Sequence, residues 1–342
     1  MRRTLFALAI LILVVVGYIV FKIPSYKTID IESALSTARL NLNYNQEIIR
    51  FYSKNPFNFY DILHNQDKIS DQEVYGILTR PVQKTSYPLI IGVAGSYGWA
   101  DHHYGYLERY LEMGIAVLSL HSFESRGVTS TVGEQTSVTT AMVIYDAFMA
   151  LDTLSRDDKI DADRIGITGW SLGGGVALFT AWQPIQNSIS PNYKFAAHLP
   201  LYPPCVAKPE LMEFTDAPIH ILIGELDNWV PAEACEDIVN ALYKLGHNID
   251  ITVYPDAHHS FDRIQELVNI NYAYSFTDCR LNISIDGVVK TKAKGFPLST
   301  PMMQKIGLAF CADRGVTYGG NKEAREKSKA YAMYFMKKNL ID

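Results

Sequence analysis

The sequence lacks the features that mark several classes of protein. Its formal net charge is −5, so it has no basic surface of the kind that binds nucleic acid. It has four cysteines in 342 residues and no C-x-x-C pair, which argues against a thiol redox or zinc motif. None of the nine histidines has a second histidine four residues away, as a hydrolytic zinc site on a helix requires. We therefore expect no metal and no other cofactor.

A long hydrophobic run lies at the amino terminus. Arg2 and Arg3 precede an uncharged, mostly apolar stretch from Leu5 to Phe21, which is near the short limit for a membrane span. No small-x-small cleavage site follows, so residues 1–24 favour an uncleaved signal anchor over a cleaved signal peptide. The arginines predict that the body of the protein is exported, to the periplasm or the extracytoplasmic face, with the membrane as a partner through this segment.

The remaining composition, 48% hydrophobic and 20% charged residues, is that of an ordinary globular protein. We expect a spacer or cover over residues 25–72, with a short helix from Gln46 to Ser53, and one domain over residues 73–342. The apolar run from Tyr87 to Ala94 indicates a central strand buried on both faces. The other expected elements are a helix within Glu134 to Leu154, a loop from Gln183 to Asn192, a strand from Ile283 to Val289 and a last helix from Lys322 that Asn321 caps.

The most informative stretch is a G-x-S-x-G match, Gly169-Trp170-Ser171-Leu172-Gly173. An apolar strand precedes it and a helix-forming run follows, which is the context that a nucleophile elbow requires. In such a turn the serine is strained, and the two glycines let neighbouring backbone approach without a Cβ clash. Ser171 is the predicted nucleophile.

A serine nucleophile needs a base and an acid, which follow it along the chain in this type of fold. Gly224-Glu225-Leu226-Asp227 comes directly after an apolar strand, and a second strand ends just before His258 and His259. Asp256 and Glu225 are rival acids, but Asp227 fits the motif spacing better. The spacing of residues does not by itself choose between the two histidines.

These motifs together resemble the dienelactone hydrolase family of α/β-hydrolases. The family's elbow, its G-x-x-D-x-x-x-P acid loop and its Y-P-x-A-x-H-x-F-D histidine loop correspond here to 169–173, 224–231 and 254–262. The resemblance covers roughly residues 73 to 262 and implies His259 as the base. It also implies an α/β-hydrolase fold, with a mostly parallel central sheet and helices on both faces. The namesake enzymes have a cysteine nucleophile, whereas position 171 is serine.

The resemblance also indicates the surroundings of the serine. The backbone N–H of Leu172 and an amide from the turn at Gly95, Ser96 or Tyr97 are the expected oxyanion hole. Arg126, in a segment similar to D-S-F-x-x-R-G, either meets a substrate carboxylate or forms a structural ion pair. The candidate substrate-binding residues are Tyr97, Trp170, Arg126 and Trp229.

The cysteines lie in the exported part, where an oxidising compartment favours pairing. Four cysteines allow three connectivities, and spacing alone selects none. In the implied fold, Cys205 and Cys235 lie near the same end of adjacent strands, while Cys279 and Cys311 bracket a late insertion at about residues 263–320. We therefore predict the pairs 205–235 and 279–311. The insertion either shapes the substrate mouth or is a disulfide-pinned cover.

The sequence thus predicts a serine hydrolase that cleaves an ester or lactone bond of a small molecule through Ser171, Asp227 and His259. The first alternative is a peptidase or amidase on the same fold. The second is a non-catalytic binding protein of the cell envelope, which would more often have lost one of the three residues.

Overall fold

The computed structural model describes residues 44–82 and 86–342. The strands of these residues are β1 Tyr44–Lys54, β2 Asp71–Pro81, β3 Tyr87–Val93, β4 Ala116–Leu120, β5 Ile160–Trp170, β6 Ala197–Leu201, β7 Ala207–Pro209, β8 Ile219–Gly224, β9 Ile249–Tyr254, β10 Val268–Ser275, β11 Leu281–Ile283, β12 Val289–Thr291 and β13 Asp313–Tyr318. The central sheet has eight strands in the order β1-β2-β4-β3-β5-β6-β8-β9. The pairs β1–β2 and β2–β4 are antiparallel, and all pairs from β4 to β9 are parallel.

Helices cover both faces of the sheet, as the parallel strands require, because a parallel sheet is buried on both sides. One pair packs together against β2, β4, β5 and β6, and the other pair packs together against β1, β3, β5 and β6. The first pair is α2 Asp101–Glu112 and α8 Lys322–Leu340, and the second is α3 Thr140–Leu154 and α4 Leu172–Phe179. The other helices are α1 Phe59–His64, α5 Gln183–Ile189, α6 Ala232–Lys244 and α7 Pro301–Ala309. This is an α/β-hydrolase fold, as expected.

The predicted central strand is confirmed, since every residue of β3 is buried. The capped last helix is also confirmed, because the Asn321 side chain accepts a hydrogen bond from the N–H of Ala324. The helix expected within Glu134 to Leu154 begins only at Thr140, where the Thr139 side chain accepts from the N–H of Met142.

The helix expected from Gln46 to Ser53 is wrong, because this segment is the edge strand β1. Phe51 and Ser53 are buried while Tyr52 between them is exposed, a period of two that fits a strand pairing with β2. So short and polar a segment does not distinguish a strand from a helix by sequence alone. Its pairing with β2 does.

Two further expectations are corrected. The loop expected from Gln183 to Asn192 contains helix α5, which tolerates Pro184 because proline fits the first turn of a helix. The strand expected from Ile283 to Val289 is a hairpin of β11 and β12, because Asp286-Gly287 turns the chain and Gly287 has a φ of 84°.

The segment after β9 adds two small sheets to the domain. Strand β10 pairs with β13, and β12-β11-β7 form a three-stranded sheet that joins the insertion to the loop after β6. Strand β13 ends at Tyr318, which bridges to His259. The insertion therefore begins and ends beside the histidine loop.

The predicted signal anchor, residues 1–24, lies outside the described residues. Across residues 44–82 and 86–342, no helix combines the length and the apolar character needed to cross a membrane.

The topology brings three loops together. Strands β5, β8 and β9 are parallel members of one sheet, so their carboxyl ends lie on the same edge. Ser171 follows β5, Asp227 follows β8 and His259 follows β9. Ligands of open α/β sheets bind at this edge.

Candidate active site

Ser171 lies in a sharp turn between β5 and α4. Its φ of 55° and ψ of −115° are a strained conformation for a residue with a Cβ atom. A Cβ on Gly169 would lie 2.1 Å from the carbonyl oxygen of Gly173, and one on Gly173 would lie 2.0 Å from that of Val93. Both glycines are thus required by close backbone contacts, and the turn they permit holds the serine hydroxyl at the sheet edge.

The structure brings Ser171, His259 and Asp227 into one hydrogen-bonded chain. The Ser171 Oγ and His259 Nε2 are 2.9 Å apart, and His259 Nδ1 is 2.7 Å from Asp227 Oδ2. The other Asp227 oxygen accepts from the N–H groups of Trp229 and Val230, at 2.9 and 3.0 Å. Both carboxylate oxygens of the buried Asp227 have hydrogen-bond partners, so its side chain is fixed. It therefore holds the imidazole of His259 in one orientation.

Backbone contacts hold the acid loop against the histidine loop. A Cβ on Gly224 would lie 2.2 Å from the carbonyl oxygen of Ala257, so only glycine permits this approach. The N–H of Leu226 donates to the same carbonyl, and the carbonyl of His259 accepts from the N–H of Gly319 at 3.0 Å. The insertion therefore also holds the histidine loop in place.

Ser96 and Leu172 border the same cavity as Ser171. Neither the N–H of Ser96 nor that of Leu172 donates a hydrogen bond to another group in the described part of the chain. Leu172 opens helix α4, where N–H groups lack partners within the helix. Position 95 requires glycine, because a Cβ there would lie 3.1 Å from the Trp170 carbonyl and 3.3 Å from the Ser171 Cβ. Glycine at position 95 lets the turn approach the serine.

Three of the four predicted substrate-binding residues lie at the site. Tyr97 and Trp229 line a small pocket that contains Ser171 and His259, and the Trp229 and His259 ring centroids are 4.8 Å apart. Tyr97 is partly exposed, and its hydroxyl is 3.2 Å from that of Tyr272 in the insertion. Trp170 also borders this pocket, but its side chain is fully buried against aromatic neighbours. Trp170 therefore contributes to the packing beneath the pocket and not to its accessible surface.

Arg126 does not lie at the site, and the structural ion pair is the arrangement observed. Its guanidinium donates to both oxygens of the fully buried Asp146, at 2.7 and 3.0 Å, and to the Asn55 side chain at 2.8 Å. Further donations go to the carbonyls of Ser122 and Lys54. With its donors used internally, Arg126 ties strand β1 and the loop after β4 to helix α3. The structure therefore favours the ion pair over the expected role of Arg126 as a substrate ligand.

Sequence reasoning missed a large apolar cavity beside Ser171. The cavity has a volume of about 180 Å³, roughly ten times what one water molecule needs, so it can hold an organic group. None of the described side chains that line it is charged. Its walls come from the segment before β2, from the elbow helix and from the insertion, and include Phe57, Phe59, Phe179, Phe276, Leu298 and Leu308. The insertion is thus part of the site, and the aromatic residues around position 58 were the available signal.

The sequence analysis also missed a buried polar group behind His259. The Tyr202 hydroxyl donates to Asp262 at 2.8 Å, and the rings of Tyr202 and His259 are 4.8 Å apart. Burial raises the pKa of Asp262 to about 6. Arg263 follows and borders the small pocket, with its guanidinium 5.3 Å from the Tyr318 ring centroid. Position 262 was already part of the histidine-loop motif, but nothing in the motif indicated its partner.

The disulfides join Cys205 to Cys235 and Cys279 to Cys311, the pairs that the sequence predicts. The first links the loop after β6 to helix α6. The second lies in a small apolar cluster with Leu281, Leu298 and Leu308, which also line the cavity.

The adjacent histidines 102 and 103 are buried at the start of α2. Burial lowers the pKa of both well below the ordinary value of histidine. No cluster of three or more histidine, cysteine or carboxylate side chains suited to a metal ion occurs within residues 44–82 and 86–342.

The chain is similar in sequence to a known family and to several known proteins. The sequence model described as the dienelactone hydrolase family matches residues 75–276. Over 254 residues the chain is 28% identical to the uncharacterized peptidase YuxL of Bacillus subtilis, a match that covers 61% of this chain and 37% of that protein. A Methylorubrum extorquens protein with the provisional name carboxymethylenebutenolidase is 27% identical over 195 residues, which cover 53% of this chain and 65% of that protein.

The fold is also similar to a solved structure, a dienelactone hydrolase-like promiscuous phosphotriesterase from metagenomic libraries. The TM-score is 0.51 and the sequence identity 12%, over 85% of this chain and 98% of the other. At that identity the likeness concerns the fold alone.

Proposed function

The chain belongs to the dienelactone hydrolase family, and from this premise we propose that it is a serine hydrolase that cleaves carboxylic ester or lactone bonds through an acyl-enzyme. The observation that carries the proposal is the chain of hydrogen bonds from Ser171 Oγ through His259 to Asp227, at 2.9 and 2.7 Å. A serine hydroxyl becomes a competent nucleophile when a base in this position removes its proton.

The reaction has two halves. Ser171 Oγ bonds to the carbonyl carbon while His259 Nε2 takes the hydroxyl proton, and His259 then gives that proton to the leaving alcohol oxygen as the ester bond breaks. Water next attacks the acyl-enzyme, giving a proton to His259, which returns it to Ser171 as the acid is released. Asp227 holds the imidazole and stabilises its charged form.

Two backbone amides fit the developing oxyanion. Ser96 and Leu172 border the same cavity as Ser171, and their N–H groups have no other partner among the residues that the structure describes. One such donor contributes about 2.7 to 4 kcal/mol to lowering the barrier. The start of helix α4 adds a favourable dipole at Leu172.

Labelling with a fluorophosphonate probe tests the proposal. We expect wild type to label and to hydrolyse ethyl butanoate, and Ser171→Ala to do neither. Ser122→Ala is the matched control, since the Ser122 hydroxyl is also buried but has no hydrogen-bond partner within the described residues. Folded wild-type protein that neither labels nor turns over any ester would refute the proposal and favour the binding-protein alternative.

A peptidase is the second candidate, because one relative carries that name. The cavity beside Ser171 has no acidic side chain, among the described residues, that could receive the free amine of a peptide. We therefore expect esters to be cleaved faster than p-nitroanilides with the same acyl group. The reverse order would favour the peptidase.

The proposed location is outside the cytoplasm, with the predicted signal anchor as the membrane attachment. The two disulfides support export, since such bonds persist in oxidising compartments. Fractionation of cells, with amino-terminal sequencing of the protein recovered, tests both points. Recovery of uncleaved protein in the soluble cytoplasmic fraction would contradict them.

A further inference from the structure

The two spaces on either side of Ser171 differ in chemistry. The small pocket is bordered by His259 and by the cation Arg263. The larger cavity is bordered by Ser171, Ser96 and Leu172 but not by His259, and no charged side chain of the described residues reaches it. A substrate that spans the serine therefore meets a polar, charged side and an apolar side.

The position of His259 decides which part of an ester lies on which side. The leaving oxygen must receive a proton from His259 Nε2, so it lies within hydrogen-bond reach of that atom. The leaving alcohol consequently occupies the pocket that His259 borders. The acyl group, on the other side of the carbonyl carbon, extends into the larger cavity.

The amide side chains that border that cavity donate hydrogen bonds to other protein groups. Gln304 donates through Nε2 to the carbonyl of Gln135 at 2.7 Å, and Gln135 donates in turn to Ser96 Oγ at 3.4 Å. Asn58 donates to the Ser299 carbonyl at 3.2 Å, and its oxygen caps helix α1. The cavity thus presents mainly hydrocarbon, and its three amide side chains already donate hydrogen bonds within the protein.

From this arrangement we propose that the cavity is an acyl-binding site selective for uncharged hydrocarbon acyl groups, and that the wall supplied by the insertion limits their length. The proposal rests on the proposed function and deepens it. A carboxylate at the end of the acyl group would lose its hydration and find no counterion there, which costs several kcal/mol. Each methylene group that moves from water into the cavity, in contrast, contributes a favourable free energy of binding.

The cavity wall that the insertion supplies is tightly packed. Leu298 and Leu308 are almost fully buried and pack with Leu281 around the Cys279–Cys311 disulfide. A Cβ on Gly307 would lie 2.2 Å from Leu298, so helix α7 contacts the segment before it directly. A well-packed wall gives a definite limit to the acyl chain, because such interiors do not deform to admit extra methylenes without cost.

The first test compares ethyl esters, which share one leaving group. Their hydrolysis is measured by titrating the acid that is released. We expect kcat/KM to rise about fourfold per methylene from ethyl acetate until the cavity is full, and then to fall. Ethyl 4-methylpentanoate should exceed ethyl hydrogen succinate, which has a carboxylate in place of the branched end, by at least about 100-fold. Leu308→Ala should move the maximum to longer chains.

The second test gives the cavity a cation. Gln304→Arg should lower the ratio of kcat/KM for the neutral ester to kcat/KM for the anionic ester at least about tenfold. Gln304→Met also removes the hydrogen bond to Gln135 but adds no charge, so it should leave this ratio unchanged. Equal rates for both esters in wild type, with no response to either Gln304 variant, would overturn the acyl-site proposal while the hydrolase assignment stood. If wild type is folded but neither labels with fluorophosphonate nor cleaves ethyl acetate, the proposed function fails and the acyl site fails with it.

Discussion

The hydroxyl of Tyr202 donates to the carboxyl of Asp262 at 2.8 Å, behind the imidazole of His259. Tyr202 follows the end of β6 with a φ of 37°, and Asp262 lies three residues beyond His259. The bond therefore connects the loop after β6 to the loop that carries the base. Asp262 is fully buried, and its second oxygen has no partner among the described groups.

The free energy of unfolding should depend on pH through Asp262. Burial raises its pKa from the ordinary 3.8 to about 6, so the folded state binds a proton that the unfolded state releases between about pH 4 and 6. The associated stability is present below pH 4 and is lost as the pH rises through 6. Asp262→Asn keeps an acceptor for Tyr202 but cannot ionise. Its stability relative to wild type should rise by about 3 kcal/mol between pH 4 and 7, measured by urea unfolding. A flat difference across this range would contradict the prediction.

Gly224 should be irreplaceable for activity although it carries no chemistry. A Cβ at this position would meet the Ala257 carbonyl at 2.2 Å, so Gly224→Ala must push the histidine loop away from the acid loop. We expect kcat/KM to fall at least about 100-fold, because a shift of 1 Å in such a site has that effect. The matched control is Gly105→Ala in helix α2, where the new methyl meets only the flexible end of Lys329 at 3.1 Å. It should raise stability by about 0.4 to 1 kcal/mol and leave activity unchanged. Similar kinetics for both variants would argue against the contact.

The motifs predicted the centre of the site but not its walls. Ser171, Asp227 and His259 could be placed because each follows an apolar strand, and parallel strands bring their carboxyl ends to one edge. Phe57, Leu298 and Leu308 could not be placed, because a cavity depends on how separate segments pack and no local pattern records that packing. Strand β1 was missed for the same reason, since its two-residue period has meaning only against β2. The role of Arg126 could not be predicted, because an arginine of a buried ion pair and one that binds a substrate look alike in sequence.

Arg126 should affect stability and not catalysis. It pairs with Asp146 in the interior, and removing one member of a buried pair leaves an unpaired charge at a cost of about 3 to 5 kcal/mol. Arg126→Ala should therefore lower the free energy of unfolding by about this amount, with kcat/KM unchanged in the protein that remains folded. Arg156→Ala, which breaks an exposed pair with Asp152, should change stability by less than about 0.5 kcal/mol. A rise in KM without loss of stability in Arg126→Ala would restore the substrate-ligand interpretation.

Three acidic residues are candidates for the acid that pairs with the histidine, and their contacts differ. Asp227 Oδ2 contacts His259 Nδ1, whereas Glu225 accepts from the N–H of Asp256, and the Asp256 carbonyl accepts from Asn321. Asp227→Asn should lower kcat about 10⁴-fold, because an amide no longer holds the imidazole in the tautomer that accepts the serine proton. Asp256→Asn is a close control, since asparagine tolerates the positive φ of 54° at that position, and Glu225→Gln retains the acceptor. Both controls should stay within about twofold of wild type, because neither side chain touches the imidazole. If Asp256→Asn instead gave the large loss, the acid would be on the histidine loop, and the contact between Asp227 and His259 would be structural.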